Sequence, residues 1–373
     1  MNIAFDAKRA FLNTSGLGNY SRTLIKTLHH HFPENDYTLF TTRRADNDFN
    51  AYINSKTDIH VEEPQHFFDK KISARWRSYV ITDLIKEAKT DVYHGLSNEL
   101  PFNISQFAGK KIVTIHDLIF LRYPHLYPFI DAKIYNKKFR HACDAADVII
   151  AISEETKRDI EKYYFIPEEK IKVIYQSCDE LFYQEPANAL IDSVIAKYQL
   201  PENYLLYVGT IEERKNLLTI VKALDKLKDI PLVIVGKQKK YFKTVMAYVK
   251  EHKLENRVLV LENIANSELP VLYRLAKLFI FPSIFEGFGI PIVEALVSKT
   301  PVITTNGGCF PEAGGPHSMY INPLDEQELA DKIKMLLDSD TLRNTMIEKG
   351  FEYAKKFHPT VITQELIKLY SDK

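Results

Sequence analysis

The chain has 373 residues, 45% of them hydrophobic, which is enough to fill two cores of ordinary size, so a single domain is the less expected arrangement. Its 49 basic and 49 acidic residues give zero formal net charge, which removes the global positive field on which nucleic-acid binding depends. Cys143, Cys178 and Cys309 are odd in number, widely separated and without metal-ligand spacing, arguing for reduced thiols in a cytosol and against a disulfide framework or a zinc site. The N-terminus MNIAFDAKRA enters a strand-like pattern with no basic leader or cleavage site, and no run approaches the roughly 18 apolar residues of a membrane span. A cytoplasmic protein is expected, with peripheral contact at the inner face of the membrane left open.

Short apolar strands alternate with helical patterns along almost the whole chain, which predicts an α/β fold of parallel sheets covered by helices. In the first half, strands are expected at residues 2–5, 37–40, 92–94, 111–115 and 148–151. After the first of these, Gly16, Leu17 and Gly18 form a flexible loop that opens a helix over 19–28 and could cover a diphosphate. It is no dinucleotide fingerprint, since Ser21 stands where the third glycine belongs, and an ordinary strand-to-helix connection competes with it. Asp46-Asn47-Asp48 matches an Asp-x-Asp metal motif but lies in a polar loop. Phe67, Phe68, Lys70, Lys71, Arg75, Trp76 and Arg77 make a basic-aromatic stretch suited to an acceptor glycan or to anionic lipid headgroups, and equally to a half-buried helix with a solvated basic face. His116-Asp117 follows the strand at 111–115. The imidazole can donate to a sugar oxygen, and a histidine capping the next segment is the alternative. Pro124, His125, Tyr127 and Pro128 form an aromatic loop that would suit an acceptor mouth, and Ser153 reads as a helix N-cap.

Residues 179–203, with Pro186, Pro201 and a short polar helix, are the best linker. The expected domains are 1–185 and 186–357, with a C-terminal helix at about 358–373 packing back on the first. In the second half, strands are expected at 204–208, 232–235, 258–261, 278–281 and 302–304. Arg214 and Lys215 follow the first of these and the turn Gly209-Thr210. That is the carboxyl-end crevice of a doubly wound sheet, where two adjacent cations suit a diphosphate. Asp338-Ser339-Asp340, the other Asp-x-Asp match, lies between C-terminal helices and reads as a cap.

The stretch EGFGIPIVE, from Glu286 to Glu294, carries the most information. A buried strand delivers a turn in which Gly287 and Gly289 permit close backbone approach, and Pro291 favours a helix beginning near Ile290. The first N–H groups of that helix would attract a phosphate, with about 0.3–1 kcal/mol from the dipole. The two glutamates, being acceptor-only groups, suit sugar hydroxyls, one those of a ribose and the other those of a transferred sugar. The plainer reading is a strand, turn and helix whose carboxylates merely complement the dipole.

These segments together resemble a retaining glycosyltransferase of family 4. The similarity runs nearly the full length, through FDAKRAFLNTSGLGNYSRTL, VTIHDLIFLRYP, IIAISEETKRDI, YVGTIEERKNL, FPSIFEGFGIPIVEAL and PVITTNGGCFPEAGG. It implies the GT-B fold, with two Rossmann-like lobes whose parallel sheets face each other across a cleft. The implied enzyme moves a hexose from a nucleotide sugar, GDP-mannose or a UDP-hexose, to a glycan or lipid-linked acceptor in surface polysaccharide synthesis. It needs no cofactor beyond the donor and no metal. The resemblance places His116 beside the transferred sugar and the acceptor hydroxyl and gives His116, Glu286, Arg214 and Lys215 catalytic roles. It puts the donor among Gly16, Gly18, Gly209, Arg214, Lys215, Ile264, Glu286, Gly287, Phe288, Gly289, Ile290 and Glu294. Anomeric configuration would be retained, the leaving phosphate oxygen taking the acceptor's proton. Ser298-Lys299, Gly308-Cys309 and Asn263 depart from the family pattern, which leaves the donor-sugar rim and the base open. Competing readings are a non-catalytic nucleotide-sugar or glycan-binding protein, a sugar-nucleotide epimerase, a glycan phosphorylase and an NAD-dependent oxidoreductase.

Overall fold

The computed structural model describes residues 1–14 and 16–372, and of Phe67 and Phe68 the backbone alone. The chain divides into two units: Met1–Ser177 together with the segment from Pro359, and Cys178–His358. The first is built on seven strands: β1 (Asn2–Asp6), β2 (Asp36–Phe40), β3 (Ile59–Glu62), β4 (Val92–Gly95), β5 (Lys110–Ile115), β6 (Val148–Ala151) and β7 (Ile171–Val173). They are all parallel, in the order β3-β2-β1-β4-β5-β6-β7. Alternation along these strands feeds two separate cores. Ile3, Phe5 and Ile112 point into one, while Ala4, Val113 and Ile115 point into the other. With both faces covered, the inner strands are largely apolar where they are buried, as in Val148–Ala151, and each fully buried Ile or Phe contributes about 1.5–3 kcal/mol.

The helix Pro359–Ser371 belongs to this first unit, where Ile362, Leu366 and Leu369 share a core with Leu24, Ile25 and Leu28 of the helix Gly16–His31. A buried polar chain anchors its end. The Tyr370 hydroxyl lies 2.6 Å from His94 Nδ1, His94 Nε2 lies 2.8 Å from Thr114 Oγ1, and the Tyr20 hydroxyl lies 3.1 Å from the same oxygen. Burial pushes His94 down to about 3, so the chain of hydrogen bonds runs between neutral groups at physiological pH.

The second unit holds β8 (Leu205–Val208), β9 (Leu232–Val235), β10 (Val258–Leu261), β11 (Leu278–Phe281), β12 (Val302–Thr305) and β13 (Met319–Ile321). Again all are parallel, in the order β10-β9-β8-β11-β12-β13. In both sheets the chain starts at an inner strand, winds one way, then reverses. The switch points fall between β1 and β4 and between β8 and β11.

The expected boundary near residue 185 shifts to Ser177/Cys178, because the segment read as a linker packs on the second unit. Phe182 meets Tyr273 edge-on at 5.8 Å, Val194 is fully buried, and Lys197 and Tyr198 both bond Glu268. Polar composition misled here, since the helix Asn188–Tyr198 buries one narrow stripe and leaves the rest in solvent.

Candidate active site

The switch point of the second unit gathers the charged residues. Arg214 and Lys215 lie on a short turn, Glu213–Lys215, after β8, and Glu286 lies on the loop after β11. Glu286 Oε1 accepts from Arg214 Nη1 at 2.8 Å, from Lys215 Nζ at 2.6 Å and from Ser283 Oγ at 2.9 Å. The Glu286 side chain is only 12% exposed. Burial alone would raise its pKa, but Lys215 and Arg214 overcome that and hold the carboxyl at about 2, so it is ionised throughout the physiological range. Arg214 also reaches the Phe285 carbonyl and Glu212 Oε1 (2.9 Å), and Lys239 closes the cluster on Glu212 at 2.6 Å. Lys215 Nζ further lies 5.0 Å from the centre of the Phe281 ring. Glu286 and the cation pair, expected to have separate tasks, form one ion cluster in the fold.

Glu294 sits eight residues on, inside the helix Ile290–Val297, in a different environment. Its Oε2 accepts from the Tyr273 hydroxyl at 2.8 Å, and burial pushes its pKa up to about 7 against that bond, with Asp179 adding to the rise. The two carboxyls that bracket the loop therefore sit on opposite sides of the ordinary carboxylate value. Each uses one oxygen in the bonds described and leaves the other, Glu286 Oε2 and Glu294 Oε1, without a bond among the described residues.

The loop geometry follows from its glycines. Gly289 has φ +116° and opens a helix that no side chain caps, with Pro291 in its first turn. On the neighbouring strand β9, a Cβ on Gly236 would stand 1.9 Å from the Gly209 carbonyl oxygen, so the loops after β8 and β9 can approach only if that position is glycine. Gly236 went unnoticed in the sequence, although VIVG after β9 parallels YVG after β8. Glu212, Ser283 and Tyr273 also went unnoticed: Tyr273 reaches Glu294 from another helix, while Glu212 and Ser283, close in sequence to their partners Arg214 and Glu286, are of residue types that carry no signal alone. Ile264 is half-buried on the loop after β10. Phe288 is 2% exposed and packs edge-on against Phe357 at 5.3 Å, so its side chain faces the core and its backbone is the part that can face a ligand.

In the first unit the glycine pair forms no flexible loop. Gly16 and Gly18 lie in the first turn of the helix Gly16–His31, and a Cβ on Gly18 would stand 2.0 Å from the Asn13 carbonyl oxygen, whereas one on Gly16 would meet open space. His116 is 4% exposed. Its Nε2–H donates to the Leu96 carbonyl (2.8 Å) and its Nδ1 accepts from Gln176 Nε2 (2.9 Å), with the Tyr20 ring edge-on at 4.8 Å. Burial lowers its pKa to about 4, so the ring is neutral and both nitrogens are engaged by the protein. Of the basic-aromatic stretch, Trp76 and Arg77 turn inward, Lys70, Lys71, Ile72 and Arg75 are exposed, and the side chains of Phe67 and Phe68 lie outside the described residues. Ser153 caps the helix Glu154–Tyr164 through the Thr156 N–H.

Both Asp-x-Asp matches are helix starts. Asn47 caps Asp48–Asn54 and Ser339 caps Asp340–Ala354. Among the described residues no group of three or more His, Cys, Asp and Glu side chains is placed to hold a metal ion, and no helix is long and apolar enough to cross a membrane.

Two doubly wound parallel units, the second with an ion cluster at its switch point, place the chain in the GT-B class. Anabaena HepE, solved with UDP and glucose bound, superposes with a TM-score of 0.77 over the whole of this chain and 99% of its own, at 19% identity. The first unit matches the model of Glycosyltransferase Family 4 over residues 14–180, and the second matches Glycosyl transferases group 1 over residues 192–353. The chain belongs to glycosyltransferase family 4. Among its curated relatives, O-antigen chain mannosyltransferase B of Escherichia coli is 27% identical over 293 residues, covering 77% of this chain and 75% of that protein. O-antigen chain mannosyltransferase RfbU of Salmonella typhimurium is 30% identical over 228 residues, covering 60% of each.

The raised pKa of Glu294 has a measurable consequence. A carboxyl whose folded value lies above its unfolded one adds stability below the unfolded value, and that stability is lost as pH rises through about 7. If its ionised form receives a ribose, nucleoside diphosphate affinity in calorimetric titrations should strengthen between pH 6 and 8. Glu294→Gln should be weaker at pH 8 and should lose that part of the slope, the remainder being the ligand's own titration. Identical pH profiles for both proteins would remove Glu294 from the nucleotide site.

Proposed function

We propose that this protein transfers a hexose from a nucleotide sugar to a glycan or lipid-linked acceptor in cell-surface polysaccharide synthesis, retaining the anomeric configuration and needing no essential metal. The observation that carries the reading is the Glu286–Arg214–Lys215 cluster at the carboxyl-end switch point, beside the uncapped helix start at Ile290. The mannosyltransferase relatives favour GDP-mannose, and the UDP in Anabaena HepE keeps a UDP-hexose in play.

In this reading Arg214 and Lys215 exchange Glu286 for the donor diphosphate and offset the charge that grows on it as the glycosidic bond breaks. Glu286 then turns to hydroxyls of the transferred sugar, and Glu294 Oε1 holds the ribose. The leaving phosphate oxygen takes the acceptor's proton, which leaves no task for a general base, and His116 is neutral with both nitrogens engaged by Leu96 and Gln176. Incubation with GDP-mannose or UDP-hexoses and a lipid-linked acceptor should release nucleoside diphosphate in EDTA as in its absence. The product's anomeric proton coupling should match the donor's configuration. Inversion, or activity that EDTA abolishes and manganese restores, would contradict the respective part.

The proposal extends to the inner membrane surface. On the helix Phe129–Ala145, Phe129, Ile130 and Ile134 are 73%, 70% and 47% exposed, with Lys133 4.3 Å from the Phe129 ring centre and Lys137 exposed one turn on. Apolar side chains flanked by lysines suit anionic headgroups. The protein should co-sediment with phosphatidylglycerol vesicles more than with neutral ones, and Phe129→Ser with Ile130→Ser should reduce this severalfold. Equal sedimentation of the variant would place any contact elsewhere.

A further inference from the structure

The switch point of the first unit carries charges that the reading above leaves without a task. Chain leaving β1 passes through Asp6, Lys8 and Arg9, and chain leaving β4 reaches Glu99. Arg77 bridges the two carboxylates, its Nε donating to Asp6 Oδ2 at 2.7 Å and its Nη1 lying 2.5 Å from Glu99 Oε2. Lys138 adds a 3.0 Å bond to the same Glu99 oxygen. Arg77 stands on a single π-helical turn, Trp76–Val80, a local distortion often found at functional positions, and its side chain is 10% exposed.

Asp6 and Glu99 are thus already engaged. Lys8 and Arg9, both half-buried, make no side-chain hydrogen bond or ion pair among the described residues. Four cations meet two carboxylates in a partly desolvated crevice. Burial and repulsion from Arg77 push the Lys8 pKa down, with Asp6 and Glu99 opposing and Arg9 adding to the repulsion, and the charge of Arg9 is felt at the His116 ring. Cations held for stability would be paired or fully solvated, and these are neither. A surplus of two positive charges at the carboxyl ends of a parallel sheet calls for a doubly charged anion.

We propose that Lys8 and Arg9 form a phosphate-binding site on the first unit that receives the phosphate or diphosphate of the acceptor, with Asp6, Arg77, Glu99 and Lys138 as the fixed frame beneath it. The naming of the ligand as the acceptor's rests on the glycosyl-transfer reading; the anion site itself does not. The donor's diphosphate has its own cations in Arg214 and Lys215, so the acceptor is the remaining source of such a group. The acceptor class is accordingly a phosphorylated or diphosphate-linked glycan.

The test is a calorimetric titration of inorganic pyrophosphate into the full chain already saturated with a nucleoside diphosphate. The wild type should still bind, and Lys8→Gln with Arg9→Gln should raise the Kd by about tenfold for each cation lost. The double variant should melt no lower than the wild type, because among the described residues neither side chain makes a hydrogen bond or ion pair that the substitution would remove. In transfer assays its KM for a diphosphate-bearing acceptor should rise by the same factor, with the donor KM and the KM for a neutral glycan unchanged. An unchanged Kd, loss of pyrophosphate binding once the nucleotide is present, a lower melting temperature, or a rise confined to the donor KM would each overturn the proposal. A wild type that binds pyrophosphate in this way but transfers no sugar would leave the anion site standing and sink the transfer reading instead.

Discussion

Replacing Arg214 and Lys215 together by alanine is expected to lower kcat/KM for the donor by roughly two to four orders of magnitude, two charge-assisted bonds to the leaving diphosphate being worth about 1.5–3 kcal/mol each. The same change should also destabilise the second unit. Glu286 is 12% exposed and keeps only Ser283 among the three partners of its Oε1 described here once the cations are gone. Stranding a buried charge in this way costs about 3–5 kcal/mol. The pH dependence follows. With the cations in place the depressed pKa of Glu286 contributes stability that is present above the unfolded carboxylate value and is lost as pH falls through about 2; without them burial dominates and acid no longer costs that stability. Adding Glu286→Ala to the double variant separates the two effects. Denaturant melts should show stability recovering because no carboxylate is left unpaired, while steady-state assays should show no recovery of activity. Recovery of both would reduce Arg214 and Lys215 to counterions of Glu286.

Glu286→Ala alone should behave differently, and the contrast is diagnostic. Loss of two sugar-hydroxyl contacts is worth on the order of 3 kcal/mol of transition-state binding, about a hundredfold in rate. Yet the substitution also releases Arg214 and Lys215 from their shared carboxylate, so free nucleoside diphosphate should bind as well or more tightly. A fall in kcat beside unchanged or improved product affinity is therefore expected from steady-state kinetics and calorimetry on the same preparation. Full activity would take Glu286 out of the site, and weakened nucleotide binding would show that it supports the cations instead of competing with phosphate for them.

Sequence and structure agree where burial writes an unbroken apolar run. Leu232–Val235, Val258–Leu261 and Leu278–Phe281 coincide with expectation, because these strands are covered on both faces or carry only aliphatic residues. The strands that escaped notice, β3 (IHVE), β7 (IKV) and β13 (MYI), all lie at sheet edges, where one flank is open and short, mixed composition suffices. In the site, what was legible lies close together along the chain: the glycine turn, the helix start and the adjacent cations. What was not legible depends on pairing across the fold. Tyr273 reaches Glu294 from another helix, Gln176 holds His116 from 60 residues on, and Gly236 meets Gly209 from the neighbouring strand. Arg77 shows the same limit from the other side: its composition suggested a solvated basic face, and a single π-helical turn directs it instead onto Asp6 and Glu99.

The most direct measurement is a crystal structure of the full chain grown with a nucleoside diphosphate. The diphosphate is expected against Arg214, Lys215 and the N–H groups around Gly289, displacing Glu286 from both cations, with the ribose hydroxyls on Glu294. Nucleotide bound away from the β8–β11 switch point, or bound there with the Glu286 ion pairs intact and Glu294 untouched, would contradict the account.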